Sequence, residues 1–257
     1  MNRKILLLQN PGVEGLNLVP TVDDALERYK RFFMSEVGGC WKEDNEIIEI
    51  KGNYTDEGEY TAVITELAEM TKCDYSIVVF VGHGDTYNGY DEIQLSRGKK
   101  LPISSFMFNP NTNSILNRTV IIDACRCFVA PNQTQILLEN ASYTQSGQLN
   151  RNNCRAYYDL LVATPEPRFE LIQSTQPGQK AFGSQYGTAF TDTLFGVIDG
   201  NAKIWNAQAL GQTGGKYCQT VNSIFQMTEN KMKPYNQHPQ YRCWGYAGSF
   251  PLYAVSR

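Results

Sequence analysis

Histidine is almost absent from this chain of 257 residues. Only His83 and His238 occur, so any chemistry that needs an imidazole rests on one of these two. Long hydrophobic runs are absent too. No apolar stretch approaches the roughly 18 residues of a membrane helix. The first one, Ile5 to Leu8, is too short for the hydrophobic segment of an export signal. These shortfalls argue against an integral membrane protein and predict a cytoplasmic one. Neither sign of charge dominates: 23 basic against 26 acidic side chains leave a formal net charge of −3. That balance lacks the basic surplus of a phosphate-backbone binder, so no nucleic-acid partner is expected. The seven cysteines, at positions 40, 73, 125, 127, 154, 218 and 243, are odd in number. They fit reduced thiols better than a disulfide framework. Cys125 and Cys127 are spaced more tightly than zinc ligands, and no second close pair of Cys or His accompanies them, so no metal site is expected.

What is present is ordinary globular composition, 42% apolar and 19% charged, at a length that suits one large α/β domain. Lys4–Gln9 reads as a buried strand ending at Asn10-Pro11-Gly12. Ala25, Leu26, Tyr29, Phe32 and Phe33 fall at helical spacing, and Thr21 with Asp24 resembles a capping box. Glu46–Ile50 predicts a second strand and Glu59–Thr71 an amphipathic helix. Ser76–Val81 and Thr119–Asp123 are continuous apolar runs, the pattern of strands buried on both faces. Ile93–Leu95 and Lys100–Ile103 flank a turn and predict a hairpin. Tyr157–Ala163 reads as another strand, Gly187–Ile198 and Val221–Met232 as helices, and Tyr241–Tyr246 and Leu252–Val255 as late strands. Strands alternating with helices predict a mostly parallel sheet covered on both faces. No linker divides the chain, so residues 1–257 read as one domain. The polar segment Pro131–Arg155, rich in Asn and Gln, reads as a long mobile or processed loop.

In such sheets functional residues sit just past the carboxyl ends of the strands. His83 follows Ser76–Val81 as Gly82-His83-Gly84-Asp85. Cys125 follows Thr119–Asp123 as Asp123-Ala124-Cys125-Arg126-Cys127. If the two strands are parallel neighbours, a thiol and an imidazole emerge side by side. The imidazole then lowers the thiol pKa and shuttles its proton. The backbone N–H groups of Gly84 and Cys125 could form an oxyanion hole.

The run Tyr75-Ser-Ile-Val-Val-Phe-Val-Gly-His-Gly resembles the histidine motif of the caspase-like cysteine peptidases. Val120-Ile-Ile-Asp-Ala-Cys-Arg resembles their cysteine motif. The branch that looks most similar is the metacaspases and prokaryotic caspase homologues. Gly89-Tyr-Asp-Glu-Ile-Gln-Leu, Gly187-Thr-Ala-Phe-Thr-Asp-Thr-Leu and Gln237-His-Pro-Gln resemble further family segments in the same order. The resemblance implies a three-layer α/β fold, with a twisted, mostly parallel sheet of about six strands and helices on both faces. It implies peptide hydrolysis through an acyl-enzyme, with Cys125 as nucleophile and His83 as general acid and base. His238 is then a loop residue.

The resemblance also bears on which bond is cut. Metacaspases carry an Asp two residues before the nucleophile, here Asp123, and a second acid at the start of the first helix, here Asp24. Two carboxylates in a closed pocket favour Arg or Lys before the cut. The plainer reading of Asp24 is an acid stabilised at a helix N-terminus, and that of Asp123 a structural acid at a strand end. Between Ile93 and Leu138 the only acidic residue is Asp123. Hard cations want several carboxylates, so the usual calcium dependence is not expected, and no cofactor is implied. Arg151 and Arg155 in the polar segment are candidates for self-processing. The expected partner is a protein or peptide substrate, including a protein activated by cleavage as in prokaryotic defence, with the enzyme itself a monomer. The alternative is a catalytically silent homologue acting as a binding or scaffold module.

Overall fold

A computed structural model describes residues 1–10, 22–51, 58–87, 89–96, 99–124, 149–163, 166–182, 188–211, 214–245 and 248–256. The elements begin with β1 (Arg3–Asn10), α1 (Val22–Met34), the single turn α2 (Glu43–Glu46), β2 (Ile47–Lys51), α3 (Gly58–Glu69) and β3 (Tyr75–Gly82). They continue with β4 (Gly84–Tyr87), β5 (Tyr90–Ser96), β6 (Lys99–Pro102), β7 (Arg118–Ala124), α4 (Arg151–Val162) and β8 (Arg168–Gln173). Last come α5 (Ala189–Gly211), β9 (Lys216–Thr220), α6 (Val221–Met232), β10 (Gln240–Gly245) and β11 (Pro251–Ser256).

Six strands form the central sheet in the order β10-β8-β7-β3-β1-β2. All neighbours are parallel except β10, which runs antiparallel to β8 at one edge. The continuous apolar runs make the middle of this sheet, and β7 is buried along its whole length. Alternate residues serve opposite faces, as the pleat demands. Ile5, Leu7, Ile77, Val79 and Val81 pack with α1, α4, α5 and α6. Leu6, Leu8, Val78 and Phe80 pack with α3 and the β5–β6 hairpin. The layered α/β architecture and the hairpin match the expectation from sequence.

Three local expectations are corrected. Tyr157–Ala163 is not a strand; it lies at the end of α4. Cys154, Tyr158 and Val162, four apart, are its buried face. Asn150 caps its start, its Oδ1 accepting from the N–H groups of Asn152 (3.0 Å) and Asn153 (3.1 Å). The same helix shortens the expected loop, because Arg151–Arg155 are helical. Most of the remainder of that segment, and Thr21 and Gly187, lie outside the described residues. The third correction is β8, a central strand that no apolar run announced.

Candidate active site

The register of β3 on β7 sets the site. Val81 lies opposite Asp123, and Gly82 opposite Ala124. The next residue on the β3 side is His83, the single residue between β3 and β4, with 9% of its surface exposed. Cys125 lies outside the described residues, but its chain leaves from Ala124, the partner of Gly82. Glycine is required at 82 by close approach: a Cβ there would sit 2.4 Å from the carbonyl oxygen of Asn10. The N–H of Gln94 donates to the carbonyl of His83 at 2.9 Å. Hydrogen-bonded and non-bonded pairs alternate along an antiparallel ladder. The Gly84–Ile93 pair is therefore non-bonded, and the Gly84 N–H points away from β5.

The segment after β8 braces the end of β7. The Ala124 N–H donates to Ser174 Oγ (3.1 Å), and Thr175 Oγ1 donates to the Ala124 carbonyl (3.1 Å). Gln237, fully buried, donates to the Ser174 carbonyl (2.8 Å) and accepts from the Phe182 N–H (3.1 Å). His238 lies apart in the loop before β10, its own N–H donating to Gln179 Oε1 (2.9 Å).

Asp123 is only 1% exposed. Its Oδ2 accepts from Thr188 Oγ1 and, at 2.6 Å, from Thr191 Oγ1, both at the start of α5. Its Oδ1 is buried with no hydrogen-bond partner among the described residues. Burial pushes the carboxyl above its ordinary range, against the pull of the Thr188, Thr191 and Ser174 hydroxyls. Asp24 sits in the first turn of α1 and is exposed. Its neighbour Asp23 pairs with Lys51 at the end of β2, which brings the start of α1 to the carboxyl edge of the sheet. Asp24 forms no ion pair among the described residues.

Sequence reasoning assigned no role to Ser174, Thr175, Thr188, Thr191, Gln237, Arg28 or Asp192. Arg28, one turn beyond Asp24, pairs with the buried Asp192 of α5 and lies 5.1 Å over the ring of Phe195. The helix-start and Gln237 motifs were the available signals for several of these, but not for their partners. Arg151 and Arg155 are brought together on α4, away from the site. Arg151 reaches Glu36 (3.6 Å), and Arg155 binds the Glu46 carboxylate with both terminal nitrogens while donating to the Cys40 carbonyl at 2.8 Å. Among the described residues no cluster of His, Cys, Asp or Glu could hold a metal ion. Nor is any described helix long and apolar enough to cross a membrane.

Comparisons with known proteins fit this architecture. The model of the caspase domain matches residues 38–248. The chain therefore belongs to the caspase domain family, a family of cysteine peptidases. Among solved structures it is similar to caspase-1 from Spodoptera frugiperda, with a TM-score of 0.51 and 12% identity over 94% of this chain and 85% of that one. No curated protein matches the chain.

Proposed function

We propose that the protein is a cysteine endopeptidase that cuts after Arg or Lys through Cys125 and His83. One observation carries the reading: the parallel register of β3 and β7 ends both strands at one level, with His83 next on one and Cys125 next on the other. In this reading His83 takes the thiol proton as Cys125 Sγ attacks the substrate carbonyl. The N–H groups of Gly84 and Cys125 hold the oxyanion. The carbon–nitrogen bond breaks as His83 returns the proton to the leaving amine. A water, deprotonated by His83, then attacks the thioester and releases the acid and the free thiol.

Specificity is assigned to Asp123, whose buried Oδ1, without a partner among the described residues, suits a cationic side chain, with Asp24 at the rim of the pocket. The reading takes no metal, acts on protein substrates, and includes activation of a partner protein by cleavage. The protein is read as a monomer, cytoplasmic, and nearer to the metacaspases than to the animal caspases. The test is a fluorogenic peptide panel varying only the residue before the cut, on wild type and Cys125→Ala. Turnover of Arg or Lys peptides, lost in the variant, supports it. Turnover only after Asp overturns the pocket assignment. No turnover, with no labelling of Cys125 by a substrate-mimetic thiol probe, favours the silent homologue.

A further inference from the structure

A carboxylate recognises arginine best when both its oxygens accept, one from each arm of the guanidinium fork. The surroundings of Asp123 deny it that. Oδ2 already accepts from two hydroxyls, those of Thr188 and Thr191, and each oxygen has two lone pairs. Thr188 is itself fixed, because its Oγ1 accepts from the Thr191 N–H at 3.0 Å. Thr191 is completely buried, with its Oγ1 3.4 Å from the Tyr29 hydroxyl. Oδ1 is buried and has no hydrogen-bond partner among the described residues, although the nearby Ser174 hydroxyl also draws the carboxyl downward, so it is the oxygen left for a ligand that enters the pocket.

We infer that Thr188 and Thr191 are positioning residues that make Asp123 a one-oxygen acceptor, so the pocket grips lysine and arginine alike. The inference rests on the pocket reading above and deepens it. A point-charge ammonium loses nothing at a single oxygen, whereas a guanidinium forfeits its second parallel bond. Removing the Thr191 hydroxyl frees a lone pair on Oδ2 and restores the fork. It also removes one of the hydrogen bonds that draw the Asp123 carboxyl downward.

The experiment measures kcat/KM for two peptides differing only in Arg or Lys before the cut, with wild type, Thr191→Val and Thr191→Ser. Val matches Thr in shape, and Ser keeps the donor. Thermal unfolding of each variant identifies any that has lost its fold, and Thr188→Val is the second probe of the same clamp. Wild type is expected to use the two peptides within about tenfold of each other. Thr191→Val should raise the Arg:Lys ratio at least about threefold and move the acid limb of the Lys profile to higher pH. Thr191→Ser should restore both. A folded Thr191→Val or Thr188→Val with the wild-type ratio and acid limb overturns the clamp while leaving the basic-residue pocket intact. A wild type that cuts after neither residue overturns the pocket reading itself, and the clamp with it.

Discussion

Asp123 and Thr191 stand 68 positions apart in the chain and are joined by a hydrogen bond of 2.6 Å. That bond ties the end of a central strand to the start of α5. It belongs to a structure that keeps a carboxyl group out of water with one of its oxygens unpartnered among the described residues. Such a group is held against its own solvation, which is expected of a binding site and not of a structural ion pair.

Asp123→Asn follows from this. Because burial raises the folded-state pKa, the wild-type carboxyl contributes its full stability below its unfolded value. That contribution is lost as pH rises through the raised folded value. The asparagine variant lacks this loss, so its melting temperature should gain on wild type as pH climbs through the acid range. Its kcat/KM for Arg and Lys peptides should fall by about two orders of magnitude, as when a buried charge loses its partner. Parallel melting curves with unchanged turnover would refute the role.

Gly82→Ala tests how His83 is aimed. The added Cβ meets the Asn10 carbonyl oxygen at 2.4 Å, so β1 and β3 must part just before the imidazole. A cost of about 1–3 kcal/mol is expected from such overpacking. The kcat should fall even where the variant is fully folded, while KM changes little. Denaturant unfolding and steady-state kinetics on one preparation separate the two effects.

The strands that carry the proposed dyad were legible because each holds an unbroken apolar stretch, Ile77–Val81 in β3 and Val120–Ile122 in β7, and the motifs singled out His83, Gly84, Cys125 and Asp123. The rest was hidden by long-range compensation. In β8, Arg168, Glu170 and Gln173 interrupt the apolar pattern. Glu170 is nevertheless completely buried, its carboxylate accepting from the Tyr241 hydroxyl at 2.8 Å and the Phe250 N–H at 3.2 Å. No local window shows partners 71 and 80 residues away. Tyr157–Ala163 misled for the opposite reason. Tyr157, Tyr158 and Val162 favour strands singly, but the four-residue spacing of Cys154, Tyr158 and Val162 decides for a helix once there is a core to face.

Removal of divalent cations should leave turnover unchanged within about twofold, since calcium needs several oxygen ligands and the stretch from Ile93 to Leu138 offers only the Asp123 carboxylate. Activity in excess chelator, with calcium re-added, is the check. A requirement for calcium would point to acids elsewhere in the chain.

Self-processing, if it occurs, should select Arg151 over Arg155. A peptidase takes its substrate extended, so a helical bond is cut only after local unwinding. Arg151 is the first residue of α4, and its side chain is half exposed. Fraying one turn releases it. Arg155 is a turn further in and is tied to Glu46, which also lies 3.6 Å from the buried Arg3. Burial pushes the Glu46 carboxyl up, but the Arg155 hydrogen bond, the Lys42 N–H and the charge of Arg3 more than offset it, leaving the pKa lowered. A depressed carboxyl adds stability above its unfolded pKa and loses it as pH falls through the folded one. Release of Arg155 at neutral pH therefore costs what the ion pair contributes. Intact mass of wild type against Cys125→Ala reads the outcome. A fragment boundary after Arg151, abolished by Arg151→Gln and by Cys125→Ala, is expected. A boundary after Arg155 in freshly folded protein would mean that the start of α4 opens far more readily than its ion pairs allow.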